Sequence, residues 1–231
     1  MANEQNNAAA KAGGSSSHRA YAHLREKLLR SKFLPNQKIN EVSLANDMEI
    51  SRTPLREALN RLVAEGLLVD RGRGFSVPGL EASVVFDLFE TRVEIECATV
   101  RLACERAKDS DLEELSEFLQ ESMAESPDAS VDRLIELDMR FHDTIARLSG
   151  NAVLRQTLAN INDRIHLIRW IAMEGRRERT QQQHREILDH IRARDKEAAM
   201  ADMREHILHR NEDILAAIKA AYGHVYTLST A

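Results

Sequence analysis

The sequence predicts a mainly α-helical protein, in which an N-terminal winged helix-turn-helix is followed by an all-α bundle of about six helices. The stretch from 51 to 74 has the apolar spacing of a half-buried helix and ends in a segment rich in arginine and glycine. Beyond residue 79, helical periodicity continues without the alternating pattern of strands. These two observations, together with a basic first third of the chain, favour this architecture.

Residues 51–64 are the predicted second helix of a helix-turn-helix. Ser51 is a suitable N-cap, and Pro54 lies in the first turn, where its missing N–H costs nothing. Residues 43–48 predict a shorter helix, and only two residues separate it from the longer one, as in a helix-turn-helix. Apolar side chains recur at the spacing of one helical face, namely at Leu55, Ala58, Leu59, Leu62 and Val63.

Two further elements would complete a winged helix. An earlier helix is indicated by the apolar stripe of Tyr21, Leu24 and Leu28. Segments 67–69 and 75–77 are typical of short strands, and they flank residues 70–74, whose glycines and arginines suit the tip of a hairpin.

The exposed face of the longer helix carries groups that suit DNA. Arg52, Arg56 and Asn60 follow one another at i, i+4 and i+8, with Thr53 beside them. Guanidinium and amide groups along one helical stripe match phosphate oxygens and base edges in a major groove. The sequence therefore predicts double-stranded DNA as a partner.

Length and charge indicate two domains behind a tail. The chain has 231 residues, 43% of them hydrophobic, which is enough for two cores. Residues 1–17 are small and polar and predict a disordered tail, residues 18–78 the winged helix, and residues 79–231 the helical domain. Residues 19–80 carry a net charge of +4, from 11 basic and 7 acidic side chains, whereas residues 81–231 carry −9, from 20 and 29. This asymmetry confines the expected DNA contact to the first third.

Six helices are expected after residue 79, the second of them starting with a capping box from Ser110 to Glu113. Their predicted ranges are 81–107, 110–124, 130–149, 151–174, 177–194 and 196–221.

The sequence also predicts the cellular location of the protein. No run approaches 18 apolar residues, so no membrane span is expected, and the N-terminus has no signal-peptide core. Cys97 and Cys104 are seven residues apart on one predicted helix, roughly 10 Å along its axis, which is too far for a disulfide. Two free thiols fit a cytoplasmic protein.

The third helix of the bundle has polar residues inside its apolar stripe. Asp138 and His142 are at i and i+4, so they point the same way and can share one cation. His184 and His206 lie on the apolar faces of two later helices. One carboxylate and three imidazoles suit a divalent metal, zinc first, with nickel or manganese possible. The alternative for each histidine is a core residue hydrogen-bonded to a neighbour.

Arg92 interrupts the apolar face of the bundle's first helix, where a buried guanidinium needs a carboxylate. Two interpretations stay open. In one, a small organic-acid effector bridges Arg92 and the metal, with Arg164 as a second candidate effector residue. In the other, Arg92 pairs with an internal acid, Glu96 or Glu136.

The first third of the chain resembles the GntR family of winged-helix transcription regulators over roughly residues 18–78. The resemblance rests on Ser51-Arg-Thr-Pro-Leu-Arg-Glu-Ala-Leu59, followed by Leu62 and Glu65-Gly-Leu-Leu68. It implies DNA contacts from Ser51, Arg52, Thr53 and Arg56, with Arg71 and Gly72 at the wing tip. In the best-known members an arginine at the start of the second helix also contacts DNA, and here that position is Val42.

Residues 81–221 resemble the FCD effector-binding domain of the FadR-type branch of this family. Its metal-binding subset carries Asp-x-x-x-His on one helix and one histidine on each of two later helices, which match Asp138, His142, His184 and His206. The resemblance implies a homodimer on a palindromic operator, acting as a repressor that an effector releases. Two alternatives are a metal-free regulator that binds a larger acyl effector and a helical metalloenzyme fused to a DNA-binding domain. An enzyme is not expected, because the paired Glu-x-x-His motifs of a di-iron site are missing.

Overall fold

The computed structural model describes residues 2–30, 32–79, 81–126, 128–172 and 177–208. The chain divides into two units, Met1–Gly79 and Leu80–Ala231. As the sequence predicts, the first is a winged helix-turn-helix, and the described residues of the second form helices joined by short connections, without strands.

The first unit contains three helices and a two-stranded sheet, which are α1 (Ala2–Leu29), α2 (Glu41–Asp47), α3 (Arg52–Ala64), β1 (Val69–Asp70) and β2 (Phe75–Ser76). The strands are antiparallel, with Val69 opposite Ser76 and Asp70 opposite Phe75. Lys38 forms an isolated bridge to Ser76 on the other edge. Leu55, Leu59 and Leu62 of α3 are fully buried in the core that these elements share.

The helix-turn-helix differs from its prediction in where α2 starts and in how the start of α3 is capped. α2 begins at Glu41 rather than Ser43, because the Asn40 side chain accepts a hydrogen bond from the backbone N–H of Ser43 (3.0 Å) and caps the helix there. Ser51 occupies the N-cap position of α3 with extended backbone, as predicted, but its hydroxyl forms no capping hydrogen bond. The turn instead uses Glu49, whose φ of 53° lies in the left-handed region.

The tail also differs from its prediction. The structure describes residues 2–17 as the first part of α1, where the sequence predicts disorder. The alanines at 8–10 favour a helix, whereas the two glycines and three serines at 13–17 do not, so local propensity alone does not account for this part of α1.

The hairpin tip is a tight turn built on glycine. Gly72 and Gly74 have φ of 74° and 124°, values that residues with a Cβ rarely adopt. The Asp70 carboxylate accepts the Gly72 N–H at 2.7 Å, and the Arg71 N–H donates to the Gly74 carbonyl at 2.9 Å. The tip therefore projects Arg71 and Gly72 into solvent on a closed turn.

Six helices make up the described part of the second unit. They are α4 (Ala82–Arg106), α5 (Asp109–Ala124), α6 (Val131–Leu148), α7 (Ala152–Ala172), α8 (Arg177–Arg192) and α9, described over residues 196–208. The predicted continuation of the last helix over 209–221 lies outside the described residues. The capping box predicted at Ser110 is wrong: α5 starts one residue earlier, at Asp109, and its N-cap Lys108 makes no side-chain capping bond.

α4 is the central helix of this unit and packs against α6, α7 and α8. Apolar side chains from all six helices form one core around it. Cys97 and Cys104 of α4 are buried free thiols, and burial raises the pKa of each. This dry interior is the environment of the polar residues that the sequence singles out.

Candidate metal centre and candidate DNA-binding surface

The structure brings Asp138, His142, His184 and His206 together inside the second unit. Asp138 and His142 lie one turn apart on α6, His184 lies on α8 and His206 on α9. All four are at most 3% exposed. One potential ligand atom from each of the four residues lies within 4.8 Å of the other three. Side chains up to 68 positions apart in the sequence thus meet at one point.

The distances within this cluster are those of side chains around a common centre. Nε2 of His206 is 3.3 Å from Nε2 of both His142 and His184. Oδ1 of Asp138 is 3.8 Å from Nε2 of His142 and 3.5 Å from Nε2 of His184. Two ligands each about 2.0–2.1 Å from a tetrahedral zinc ion lie roughly 3.3–3.4 Å from each other. The spacing therefore fits one small divalent cation.

Contacts behind the rings fix their orientation. Nδ1 of His142 lies 2.5 Å from Oε2 of Glu96, and Nδ1 of His206 lies 3.0 Å from Oε1 of Gln183. Both partners accept hydrogen bonds, so each ring donates its Nδ1–H outward and turns the Nε2 lone pair inward. The Phe141 ring stacks on His184, with centroids 3.9 Å apart and an angle of 17° between the planes.

Two inward lone pairs 3.3 Å apart repel each other unless a cation lies between them. Burial is the main cause that holds the pKa of His142 below its usual value, although Glu96 opposes this shift. A neutral imidazole is the form that binds a metal. The donor set, with one carboxylate, three imidazoles and no thiolate, fits zinc, nickel or manganese.

Arg92 lies beside this cluster and is completely buried. Its Nε donates to Oε1 of Glu96 at 2.6 Å, whereas the other acid considered from the sequence, Glu136, pairs with Arg133 at the surface. Nη1 and Nη2 of Arg92 are buried and have no hydrogen-bond partner among the described residues. A buried guanidinium with two unused nitrogen atoms is costly in a protein interior and suits an anion.

Arg164, the second effector candidate, is half-buried on α7. None of the described hydrogen bonds or ion pairs links Arg164 to the cluster.

Two polar residues that contact the cluster were not predicted in that role from the sequence, namely Glu96 and Gln183. Glu96 was considered only as a partner for Arg92, not for His142. Gln183 was overlooked because it precedes His184 on α8 and no periodicity marks it. The contact between Glu96 and His142 joins residues 46 positions apart, so no local spacing in the sequence indicates it.

The residues proposed to contact DNA are all exposed on the first unit. Four of them lie on α3, Ser51 is the N-cap of that helix, and two lie at the hairpin tip; the full set is Ser51, Arg52, Thr53, Arg56, Asn60, Arg71 and Gly72. Nε of Arg56 lies 3.7 Å from the Glu41 carboxylate, and its guanidinium lies 5.6 Å from the centre of the Phe75 ring. Arg73, which the sequence analysis did not select, is also exposed at the tip.

Comparison with known proteins agrees with both units. The family model described as bacterial regulatory proteins, gntR family, matches residues 16–77, and the FCD domain model matches residues 87–209. The chain belongs to the GntR family of bacterial regulatory proteins. Its second unit is an FCD domain, as the sequence resemblance implies.

This GntR-family chain is similar to proteins with known roles. The Nta operon transcriptional regulator of Aminobacter aminovorans is 40% identical over 196 residues, covering 84% of this chain and 92% of that protein. The HTH-type transcriptional repressor GlaR of Escherichia coli is 31% identical, with 81% and 90% covered. The solved Zn²⁺-bound FCD domain of TM0439 has the same fold, with a TM-score of 0.50, 23% identity, and 61% and 97% covered.

The relatives and both domain models describe regulators, so this GntR-family protein is a DNA-binding transcriptional regulator and not an enzyme. Among the described helices, none combines the length and hydropathy needed to cross a bilayer. Val42, the position that the sequence resemblance matches to an arginine of the best-known members, is half exposed on α2.

Proposed function

We propose that this regulator is a repressor whose operator binding is controlled by a small carboxylate metabolite, bound beside a divalent metal in the FCD domain. One observation carries the proposal. Four potential metal-ligand atoms face one another in the buried interior, and beside them lies the Arg92 guanidinium, two nitrogen atoms of which have no hydrogen-bond partner among the described residues.

The metal would be held by Asp138, His142, His184 and His206. Zinc is the first choice, because it accepts imidazole and carboxylate ligands. In addition, the Nε2 atoms of the histidines are separated by the distance expected between two ligands of one tetrahedral zinc ion. An FCD domain of this fold has been solved with Zn²⁺ bound. When bound, the cation supplies positive charge and any coordination position that the four residues leave open.

The effector would be an anion, since Arg92 offers two N–H groups at one end of its guanidinium. A carboxylate binds such a pair through both oxygen atoms. A second polar group on the effector, such as a hydroxyl, would be able to reach the cation. This favours hydroxy acids and sugar acids over simple fatty acids as effectors. Arg164 is the second candidate residue for this effector.

Operator binding would use a homodimer of this chain. Two identical reading heads related by a twofold axis match a palindromic DNA site. Effector binding would bias the dimer toward one arrangement of the heads, a coupling typically worth about 1–3 kcal/mol. We expect the effector to lower the affinity for the operator and so release the DNA. The relative GlaR is a repressor, which agrees with the proposed repressor role.

The DNA-binding surface is tested by replacing Arg56 with alanine. Because Arg56 is exposed on α3, the fold should survive, and loss of a base contact should cost roughly 1–3 kcal/mol of specific affinity. Fluorescence anisotropy with operator DNA measures this. The matched control is Arg61→Ala, which removes the same charge from α3 where the side chain packs on Tyr21. Equal operator affinity of Arg56→Ala and the parent would refute the assignment.

The metal site is tested by His184→Ala and His206→Ala. Each variant should lose bound metal, and the added thermal stability of the metal-loaded protein should disappear, because a cation that binds only the folded state stabilises it. Elemental analysis and thermal unfolding, each with and without a chelator, measure these effects. His190→Ala is the control, since His190 lies on α8 but pairs with Asp202 outside the cluster. No stoichiometric metal in the parent after reconstitution with Zn²⁺, Ni²⁺ and Mn²⁺ in turn would rule out the site.

The effector site is tested with a panel of hydroxy acids and sugar acids. Some member should raise the melting temperature of the metal-loaded parent but not of the chelated parent. Arg92→Lys should abolish this shift while metal stays bound, because lysine keeps the charge beside Glu96 but lacks the two-nitrogen fork. Alanine is less suitable here, since it would leave a buried carboxylate unpaired.

The matched control for Arg92→Lys is Arg101→Lys, which makes the same change at an exposed ion pair of α4. Acids that stabilise the chelated protein just as well would show that the metal is structural and that the effector binds elsewhere. If a larger acyl compound stabilises the metal-free protein, the result would support the alternative of a metal-free regulator that binds a larger acyl effector.

A further inference from the structure

Glu96 is the residue that joins the two halves of the proposed site. Oε1 accepts from Nε of Arg92 at 2.6 Å, and Oε2 lies 2.5 Å from Nδ1 of His142. All three side chains are fully buried. Arg92 and Glu96 lie one turn apart on α4, whereas His142 comes from α6. One carboxylate therefore contacts both the candidate anion-binding residue and a candidate metal ligand.

The contact with Glu96 determines which nitrogen atom His142 presents to the cluster. A carboxylate accepts hydrogen bonds and does not donate them, so the imidazole proton is held on Nδ1. The Nε2 lone pair is then directed at the cluster, where it lies 3.3 Å from Nε2 of His206. Metal-bound histidines in proteins commonly have such a carboxylate behind them, and it raises the basicity of the ligand as well as fixing its orientation.

The contact with Arg92 has a second consequence. Since Nε is engaged by Glu96, the part of the guanidinium that remains for an anion is the end formed by Nη1 and Nη2. Those two nitrogen atoms carry parallel N–H groups, which is the geometry that a carboxylate binds with both oxygen atoms. Glu96 thus selects the binding end of Arg92 while it orients His142.

We infer that Glu96 is a positioning residue that holds His142 in the metal-binding tautomer and couples the Arg92 anion site to the metal site. This inference rests on the proposed function. Glu96 binds neither the metal nor the effector directly; it acts through the two side chains that do. Gln183, which lies behind His206, is its neutral counterpart and orients a ring without adding charge.

Substitution of Glu96 by glutamine separates orientation from simple packing. Glutamine has nearly the same shape, but only one of its two terminal atoms accepts hydrogen bonds. Arg92 is always a donor, so the glutamine oxygen will face Arg92 and its NH₂ will face His142. The NH₂ group donates to Nδ1 and moves the imidazole proton to Nε2, the atom that should bind the metal.

The first measurement is zinc affinity of the full-length chain, by competition with a chromophoric chelator and with Zn²⁺ as the only added ligand. Glu96→Gln should weaken zinc binding roughly 10–100-fold, the usual effect of losing such a partner. Glu94→Gln is the matched control: it makes the same change on α4, two residues away, at an exposed pair with Arg204, and should leave the affinity unchanged. Equal affinities of Glu96→Gln and the parent would overturn the inference while leaving the metal site intact.

The second measurement uses the parent protein, so it does not depend on the folding of a variant. Nitrogen-15 chemical shifts of the zinc-loaded chain should show the His142 proton on Nδ1 and zinc on Nε2. A proton on Nε2, or zinc on Nδ1, would contradict the role of Glu96 even if zinc binds tightly. A parent that binds no zinc would remove the metal proposal itself, and this inference with it.

Discussion

Burial of ionisable side chains in the core of the second unit is the constraint on which the site depends. An unpaired charge or an unsatisfied polar atom in such an interior costs several kcal/mol. Buried ionisable groups are therefore stable only where a partner or a ligand lies at the right distance. Asp138 and the three histidines converge at distances of 3.3–3.8 Å between neighbouring ligand atoms. The arrangement leaves lone pairs facing one another, which is unfavourable without a cation and favourable with one. This balance is the physical basis of the proposed metal site.

The same constraint explains why α4 is central to the site although it contributes none of the four candidate ligands. Its Arg92 and Glu96 form a fully buried ion pair directly behind His142. A buried pair of this kind contributes little net stability compared with apolar residues of the same size. In the proposed site, this ion pair instead orients His142 and leaves two guanidinium nitrogen atoms of Arg92 for a ligand. Under the proposed function, an anion bound at these nitrogen atoms would complete the interior, and the domain could respond to it.

Much of both units was predictable because helices and turns record local physics in the sequence. The apolar spacing of Leu55, Leu59 and Leu62 identified α3, and the glycines at 72 and 74 identified the hairpin tip. Predictions failed where several local solutions compete. α5 begins at Asp109 without using the serine predicted to cap it, and residues 2–17 are helical although their composition is typical of a tail. Caps and tails differ by about 1 kcal/mol or less per residue, which sequence patterns do not resolve.

The sequence by itself determined the two-domain helical architecture, the basic recognition face and the identity of the four candidate metal ligands. Asp138 and His142 share a turn, and His184 and His206 each stand on an apolar stripe, so one-dimensional periodicity was sufficient to select them. Only the tertiary structure decided how those helices are rotated and which atoms meet. It placed Glu96 behind His142 across 46 positions and Gln183 behind His206 across 23, and it assigned Arg92 to Glu96 rather than Glu136. The physical reason is that such contacts depend on the register between packed helices, which the close packing of the whole core sets and no local pattern records.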